Sequence, residues 1–125
     1  MSGKYMAYVG SYSYTGKAKG ITVFDVDVKN GTFRERCEME VDNSSYVIAS
    51  SDGKTLYSIA DEGVVSFRIL QNGSLARLNS APIRGMRGCH LCTDMEDKYV
   101  FVSGYHDGKT TVLSLNKDGS VGEIV

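Results

Sequence analysis

The chain has 125 residues, of which 42% are hydrophobic and 23% charged, and a formal net charge of -1. That length allows one ordinary domain, and the near-neutral balance excludes attraction to nucleic acid or an anionic membrane through bulk charge. No apolar run approaches the roughly 20 residues of a membrane-spanning helix, Met1-Ser2-Gly3-Lys4-Tyr5 carries no apolar signal core, and three cysteines suit a reducing cytoplasm better than a disulfide scaffold.

In chain order, period-two segments bounded by Gly, Asn and Asp predict strands throughout, with no helical spacing sustained beyond about ten residues. Lys4-Tyr5-Met6-Ala7-Tyr8-Val9 is the first. The stretch Gly10 to Ala18 hints at a phosphate loop, but its glycine spacing is wrong, no Ser or Thr follows Lys17, and no helix follows either. It reads as a hairpin loop. Val23-Phe24-Asp25-Val26 then alternates up to a turn at Asn30-Gly31. Asn43-Ser44-Ser45 fits the glycosylation triplet, which carries no implication without a secretory signal.

The middle of the chain is the clearest. Tyr46 to Ala49 is a strand, and Ser51-Asp52-Gly53-Lys54 is its turn. Leu56 to Ile59 follows with a turn at Asp61-Glu62-Gly63, then Val64 to Ile69 with a turn at Gln71-Asn72-Gly73, then Leu75 to Asn79. Further on, Val112-Leu113-Ser114-Leu115 leads to Asp118-Gly119. Asn30-Gly31-Thr32-Phe33, Asn72-Gly73-Ser74-Leu75 and Asp118-Gly119-Ser120-Val121 are versions of one phrase. Lys4 to Val9, Lys54 to Ile59 and Lys98 to Ser103 align position for position. A repeat of ~40–45 residues carrying four antiparallel strands is the size of one propeller blade.

The expected fold is therefore all-β, a β-propeller fragment of about 2.5–3 four-stranded antiparallel blades. The first spans about 4–42 and lacks its inner strand, the second about 44–83, and the third about 88–125. A propeller closes with at least about four blades, so the chain reads as the leading piece of a longer protein. Uncovered apolar sheet faces and an open strand edge predict self-association of such a piece.

"YVGSYSYTGKAKGITVFDVD", "SSDGKTLYSIADEGVVSFRI" and "GCHLCTDMEDKYVFVSGYHDGKTTVLSLNKDGSVGEI" resemble the start of the lactonase-family seven-bladed propellers. That family includes bacterial 6-phosphogluconolactonases and carboxy-cis,cis-muconate cyclases. The resemblance covers essentially the whole chain and implies a cytoplasmic parent that hydrolyses a sugar lactone, possibly phosphorylated, without cofactor or metal. Family members commonly carry Gly-Pro-Cys-His where this chain has Arg87-Gly88-Cys89-His90. An asparagine that often ends the second strand is replaced by Ala60 and Gly104; the following glutamate becomes Asp61, and the tyrosine is kept as Tyr105. The resemblance thus assigns substrate contacts to Asp61 and Tyr105.

His90 opens the innermost strand of its blade, which in a propeller lines the axial channel, with Arg84 and Arg87 just upstream. Opening a lactone needs a water activated by a base and a cation for the developing oxyanion, and a phosphorylated substrate wants an arginine. His90 is the candidate catalytic residue and Arg87 a candidate substrate contact; the alternative is a histidine tied to backbone and arginines on a solvated loop. Cys89-His90-Leu91-Cys92 contains a C-x-x-C, but residues three apart on a strand point to opposite faces, so no chelate or simple disulfide is expected. Small buried core cysteines are expected instead. Tyr105-His106-Asp107-Gly108-Lys109 reads as an Asp-Gly turn from which Tyr105 and His106 can rim the channel. Because fold alone fixes no chemistry, a non-catalytic propeller binding a small molecule or protein stays open beside the lactonase.

Overall fold

The computed structural model describes residues 4–125. Among these, eleven strands and no helix form three antiparallel sheets. The first holds β1 (Lys4–Gly10), β2 (Gly20–Asp27) and β3 (Thr32–Glu40), in that order. The second holds β4 (Val47–Ala49), β5 (Thr55–Ile59), β6 (Gly63–Ile69) and β7 (Leu75–Pro82). The third holds β8 (His90–Thr93), β9 (Tyr99–Ser103), β10 (Thr110–Leu115) and β11 (Val121–Ile124). Each strand pairs with its chain neighbours, so every sheet is a simple meander.

The repeated turn phrase has a local cause. Gly73 and Gly119 sit at φ 88 and 90, in the left-handed region that costs glycine nothing. The residue before each supplies a side-chain acceptor: Asn72 Oδ1 takes the Ser74 N–H at 2.9 Å, and Asp118 Oδ1 the Ser120 N–H at 2.9 Å. That is an Asx turn closing a hairpin.

The sheets stack face to face, and the alternation of strand side chains divides the core into two seams. From the second sheet, Leu56, Ala60, Val65, Phe67 and Leu75 pack against Ile21, Val23 and Val41 of the first. Tyr57, Ile59, Val64 and Ala81 pack the opposite way, against Leu91, Val100, Val102, Leu113 and Val121 of the third. The middle sheet is covered on both sides, which is why β5 is buried along its whole length.

Polar tethers cross the seams. The Tyr8 hydroxyl donates to the Gly73 carbonyl at 2.7 Å, and the Tyr57 hydroxyl to the Gly119 carbonyl at 2.7 Å. These equivalent bonds correct the repeat alignment: Tyr8 corresponds to Tyr57, whereas the position-for-position match would pair it with Ser58. The strand registers agree, since Gly10 faces Ile21 as Ile59 faces Val64. A one-residue slip sends side chains to the other face. Ser58 accordingly points into the first seam, its hydroxyl 2.7 Å from that of Ser44, both buried. Between the second and third sheets, the Asn79 side chain donates to the Val121 carbonyl at 2.8 Å and accepts the Val121 N–H at 3.0 Å, the hydrogen bonds of a miniature strand pair.

The far faces of the first and third sheets have no covering sheet. Tyr5, Val9 and Phe33 are exposed at 56%, 41% and 60%, and Tyr99 at 40%. This bears on the cysteines too. Cys89 and Cys92 are both exposed, contrary to the expectation of buried core residues, and only Cys37 is half-buried. On β8 the residue turned into the seam is Leu91, which leaves Cys92 on the uncovered face.

Burial raises the Tyr57 phenol to about 12, aided by the carboxylates of Asp97, Asp52 and Asp118 and opposed by a hydrogen bond with Thr55. A folded-state value above the unfolded one means that the contribution is complete below about pH 10 and is lost as pH rises toward 12. Tyr57→Phe should cost about 1 kcal/mol near neutrality. It should also flatten the alkaline loss, which for this one group runs at up to about 1.4 kcal/mol per pH unit. Urea midpoints between pH 8 and 12 test this; equally steep falls in both proteins would clear Tyr57 of the effect.

Candidate functional site

Because each sheet is a meander, its connections alternate between two ends. The β1–β2, β3–β4, β5–β6, β7–β8 and β9–β10 connections gather at one end, next to the adjacent inner strands β4 and β8. All four residues singled out from the sequence, Asp61, Arg87, His90 and Tyr105, lie on this rim or on the strand that opens from it.

Local chemistry shapes the rim. Gly88 is buried where the β7–β8 connection turns beneath the third sheet; a Cβ there would come 2.4 Å from Val102 Cγ1 and 2.8 Å from Ile59 Cδ1. The Cys89 N–H then donates to the Ser103 carbonyl at 2.8 Å, which sets His90 opposite Ser103. Asp107 folds the β9–β10 connection onto the same segment. Its Oδ2 accepts the Met86 N–H at 2.9 Å, and this bond is the main reason its carboxyl lies below the usual range. A Cβ on Gly104 would sit 2.7 Å from Asp107 Oδ1, so with Asp107 so placed an asparagine does not fit there.

Arg87 meets four residues at the rim. One terminal nitrogen, Nη1, donates to Ser45 Oγ at 3.1 Å, and Nη2 donates to the Asn43 carbonyl. Its Nε lies 3.3 Å from Asp61 Oδ1, a charge contact in which the buried N–H is not aimed at the oxygen. The guanidinium carbon stands 5.5 Å from the centre of the Tyr12 ring. Arg87 is thus partly buried among three connections rather than on a solvated loop, whereas Arg84 is exposed.

His90 is exposed, with its ring centre 4.6 Å from that of Tyr46. Tyr105 stands apart, 80% exposed, and its ring neighbour is His106 at 5.5 Å. The structure therefore joins Asp61 to Arg87, sets His90 against Tyr46, and leaves Tyr105 at the periphery. Sequence reasoning missed Tyr12, Ser45, Tyr46 and Asn43. For Asn43 a signal existed: asparagine is among the few side chains that tolerate the left-handed backbone it adopts, with φ 56.

Among the described residues no group of three or more His, Cys, Asp or Glu is placed to hold a metal ion. A cleft of about 310 Å³ is bounded by Asp61, Glu62, Glu40, Asp42 and Arg77. A larger one of about 750 Å³ lies at the opposite end, between Lys54, Arg68, Lys98 and Asp118. Neither includes Arg87 or His90, and the rim offers an accessible imidazole, a partly committed guanidinium and a carboxylate that also borders the smaller cleft.

Stacked antiparallel meanders of three and four strands define a piece of a β-propeller. The family described as "Lactonase, 7-bladed beta-propeller" matches residues 6–125, and the chain belongs to it. It is 33% identical over 124 residues to a 6-phosphogluconolactonase of Bacillus subtilis (strain 168), covering 94% of this chain and 35% of the relative. A 6-phosphogluconolactonase of Formosa agariphila is 29% identical, again with 94% and 35% covered. A crystal structure from Bacteroides fragilis NCTC 9343, provisionally assigned as a 6-phosphogluconolactonase, superposes with a TM-score of 0.89 at 29% identity, over 98% of this chain and 35% of that one. The chain spans about a third of the length of these proteins.

Truncating Arg87 leaves Asp61, Ser45 and the Asn43 carbonyl without their common partner. Arg87→Ala should cost about 2 kcal/mol, the scale of a lost charge-assisted bond in a partly buried site. Arg87→Lys should recover less than half, since one ammonium cannot serve three partners in a plane. Asp61→Ala should cost under about 1 kcal/mol, as expected for a half-exposed partner. Denaturant midpoints compare the three; a harmless Arg87→Ala would deny the rim its staple.

Proposed function

We propose that the chain forms part of a cytoplasmic propeller that hydrolyses a sugar lactone, with 6-phosphogluconolactone, the substrate named for its relatives, as the leading candidate. The observation that carries this reading is the accessible imidazole of His90 at the mouth of an inner strand, on the same rim as the Arg87–Asp61 pair. His90 acts as the base that takes a proton from water, the hydroxide adds to the lactone carbonyl, and the ring C–O bond then breaks. The departing alkoxide recovers a proton, so lactone and water give the open hydroxy acid. Arg87 has N–H groups beyond those given to Ser45 and Asn43, and these serve the developing oxyanion or a substrate phosphate. Asp61 lies beside that arginine, and it and Tyr105 contact the substrate from the edge. Unpaired Cys37, Cys89 and Cys92 fit a reducing compartment such as the one where sugar phosphates are oxidised.

A second reading is a propeller that binds without catalysis. It is favoured by Ala60 and Gly104, which stand where family members often carry asparagine.

The two readings separate in a chimaera in which residues 6–125 replace the matching third of the Bacillus subtilis relative. The lactonase reading expects hydrolysis above the spontaneous rate, lowered about ten- to a thousandfold by His90→Ala, the scale of one acid–base group. Unchanged turnover in the folded variant would remove His90 from the chemistry.

The same reading makes the uncovered faces around Phe33 and Tyr99 seams for neighbouring blades. The 125-residue chain alone should then associate with copies of itself. Light scattering at micromolar concentration checks this, and a stable monomer would count against it.

A further inference from the structure

We infer that Asn43 is a positioning residue of this rim: its amide holds the Asp61 carboxylate in place and keeps it from closing onto the Arg87 guanidinium. Among the described residues only Asn43 and Asp97 are non-glycine residues with positive φ, at 56 and 55. A residue kept in that region persists only where its surroundings over-determine it. Around Asn43 they do. Its Oδ1 accepts the Ser13 and Tyr14 N–H groups at 2.8 and 3.0 Å, and its own N–H donates to Ser13 Oγ at 3.0 Å. Its Nδ2 donates to both oxygens of Asp61, at 3.1 and 3.0 Å. Its carbonyl accepts Arg87 Nη2.

Every polar group of the residue therefore has a partner, and the partners come from three other connections. Few side chains meet that demand. Aspartate tolerates the backbone and keeps the two acceptor bonds, but it lacks the donor and sets a second carboxylate against Asp61. Glycine keeps the backbone and loses the amide.

The consequence concerns Arg87. An unrestrained carboxylate beside a guanidinium settles into a two-point fork, with two parallel N–H···O bonds. Here Asp61 lies at 3.3 Å from Nε without an aligned bond, while both its oxygens are engaged by Asn43. Asp61 is thus anchored by an amide rather than by the cation it neighbours. The Nη hydrogens not given to Ser45 and the Asn43 carbonyl stay open to an incoming anion such as a substrate phosphate or carboxylate. That last step rests on the anion-contact role proposed for Arg87; the anchoring of Asp61 does not.

The test uses the whole chain, inorganic phosphate as the probe, and phenylglyoxal modification of Arg87 relative to Arg84, read by peptide mass. Phosphate should slow modification of Arg87 in the unsubstituted chain. In Asn43→Asp the apparent phosphate affinity should fall about tenfold or more, as Asp61 is released. The double substitution Asn43→Asp/Asp61→Asn restores an amide–carboxylate pair with donor and acceptor exchanged, and most of the protection should return. Asn43→Gly should lose protection as well, since it keeps the backbone and removes only the amide. Equal protection in the unsubstituted chain, Asn43→Asp and Asn43→Gly overturns the role of Asn43. No protection in the unsubstituted chain overturns instead the anion contact at Arg87. A single variant that fails to fold leaves the exchanged pair as the deciding arm: protection absent there, with folding intact, also overturns the proposal.

Discussion

The rest of this structure depends on one constraint, that the second sheet is covered on both faces. A strand places alternate residues on opposite sides, so a sheet between two others must be apolar at nearly every position. β5 and the start of β6 meet that requirement with Leu56, Tyr57, Ile59, Val64, Val65 and Phe67. The polar exceptions sit where a partner waits: Ser58 against Ser44, and Ser66 against Asn79. At roughly 25 cal/mol per Å² of apolar surface, two seams of this kind outweigh the individual tethers that cross them. The tethers contribute register. Tyr8 and Tyr57 each reach the hairpin turn of the next sheet, which fixes how far one sheet slides along its neighbour.

That register makes the rim. Connections distant in the chain meet because the seams bring the inner strands β4 and β8 side by side, and the meander returns every second connection to the same end. The site is therefore a property of the stack and not of any one sheet. Arg87 belongs to the loop entering the third sheet, yet its partners lie in the connections of the first and second. The lactonase reading inherits the same geometry, because the alternation that buries Leu91 in the seam turns its neighbour His90 to the surface.

Much of the fold was legible in the sequence because its signals are short-ranged. Period-two alternation and Asn-Gly or Asp-Gly turns act within a few residues, and the three copies reinforced one another. The first copy shows where this fails. Lys4 to Val9 is apolar or aromatic at nearly every position from Tyr5 onward, so its alternation carries no phase, and matching Lys4 to Lys54 put the strand one residue out. Only the seam, with Met6 and Tyr8 inside it, sets the phase. The cysteines failed for a related reason. Small and apolar side chains suit a core, but whether a face is covered depends on the next sheet. At the site, Asp61, Arg87, His90 and Tyr105 came from their place in the repeat and from family resemblance. Asn43 could not come that way, since its partners lie 30, 18 and 44 residues away along the chain.

The two residues with left-handed backbones complete the picture. Asn43 sits on the rim, and Asp97 at the opposite end, where its carboxylate accepts the Ser51 and Asp52 N–H groups at 2.8 and 3.1 Å. Each is a short polar side chain in a connection, bonded to backbone of a neighbouring sheet, and each accepts strain to do so. Sheet faces slide easily over one another when only apolar side chains meet, because dispersion has little directional preference. Directional bonds at the two ends of the stack supply what the seams lack. At the Asp97 end the outcome is a clamp and nothing more, since its partners are backbone amides. At the Asn43 end the bonded partners include a carboxylate and a guanidinium, so the device that pins the sheets also fixes the charges of the candidate site.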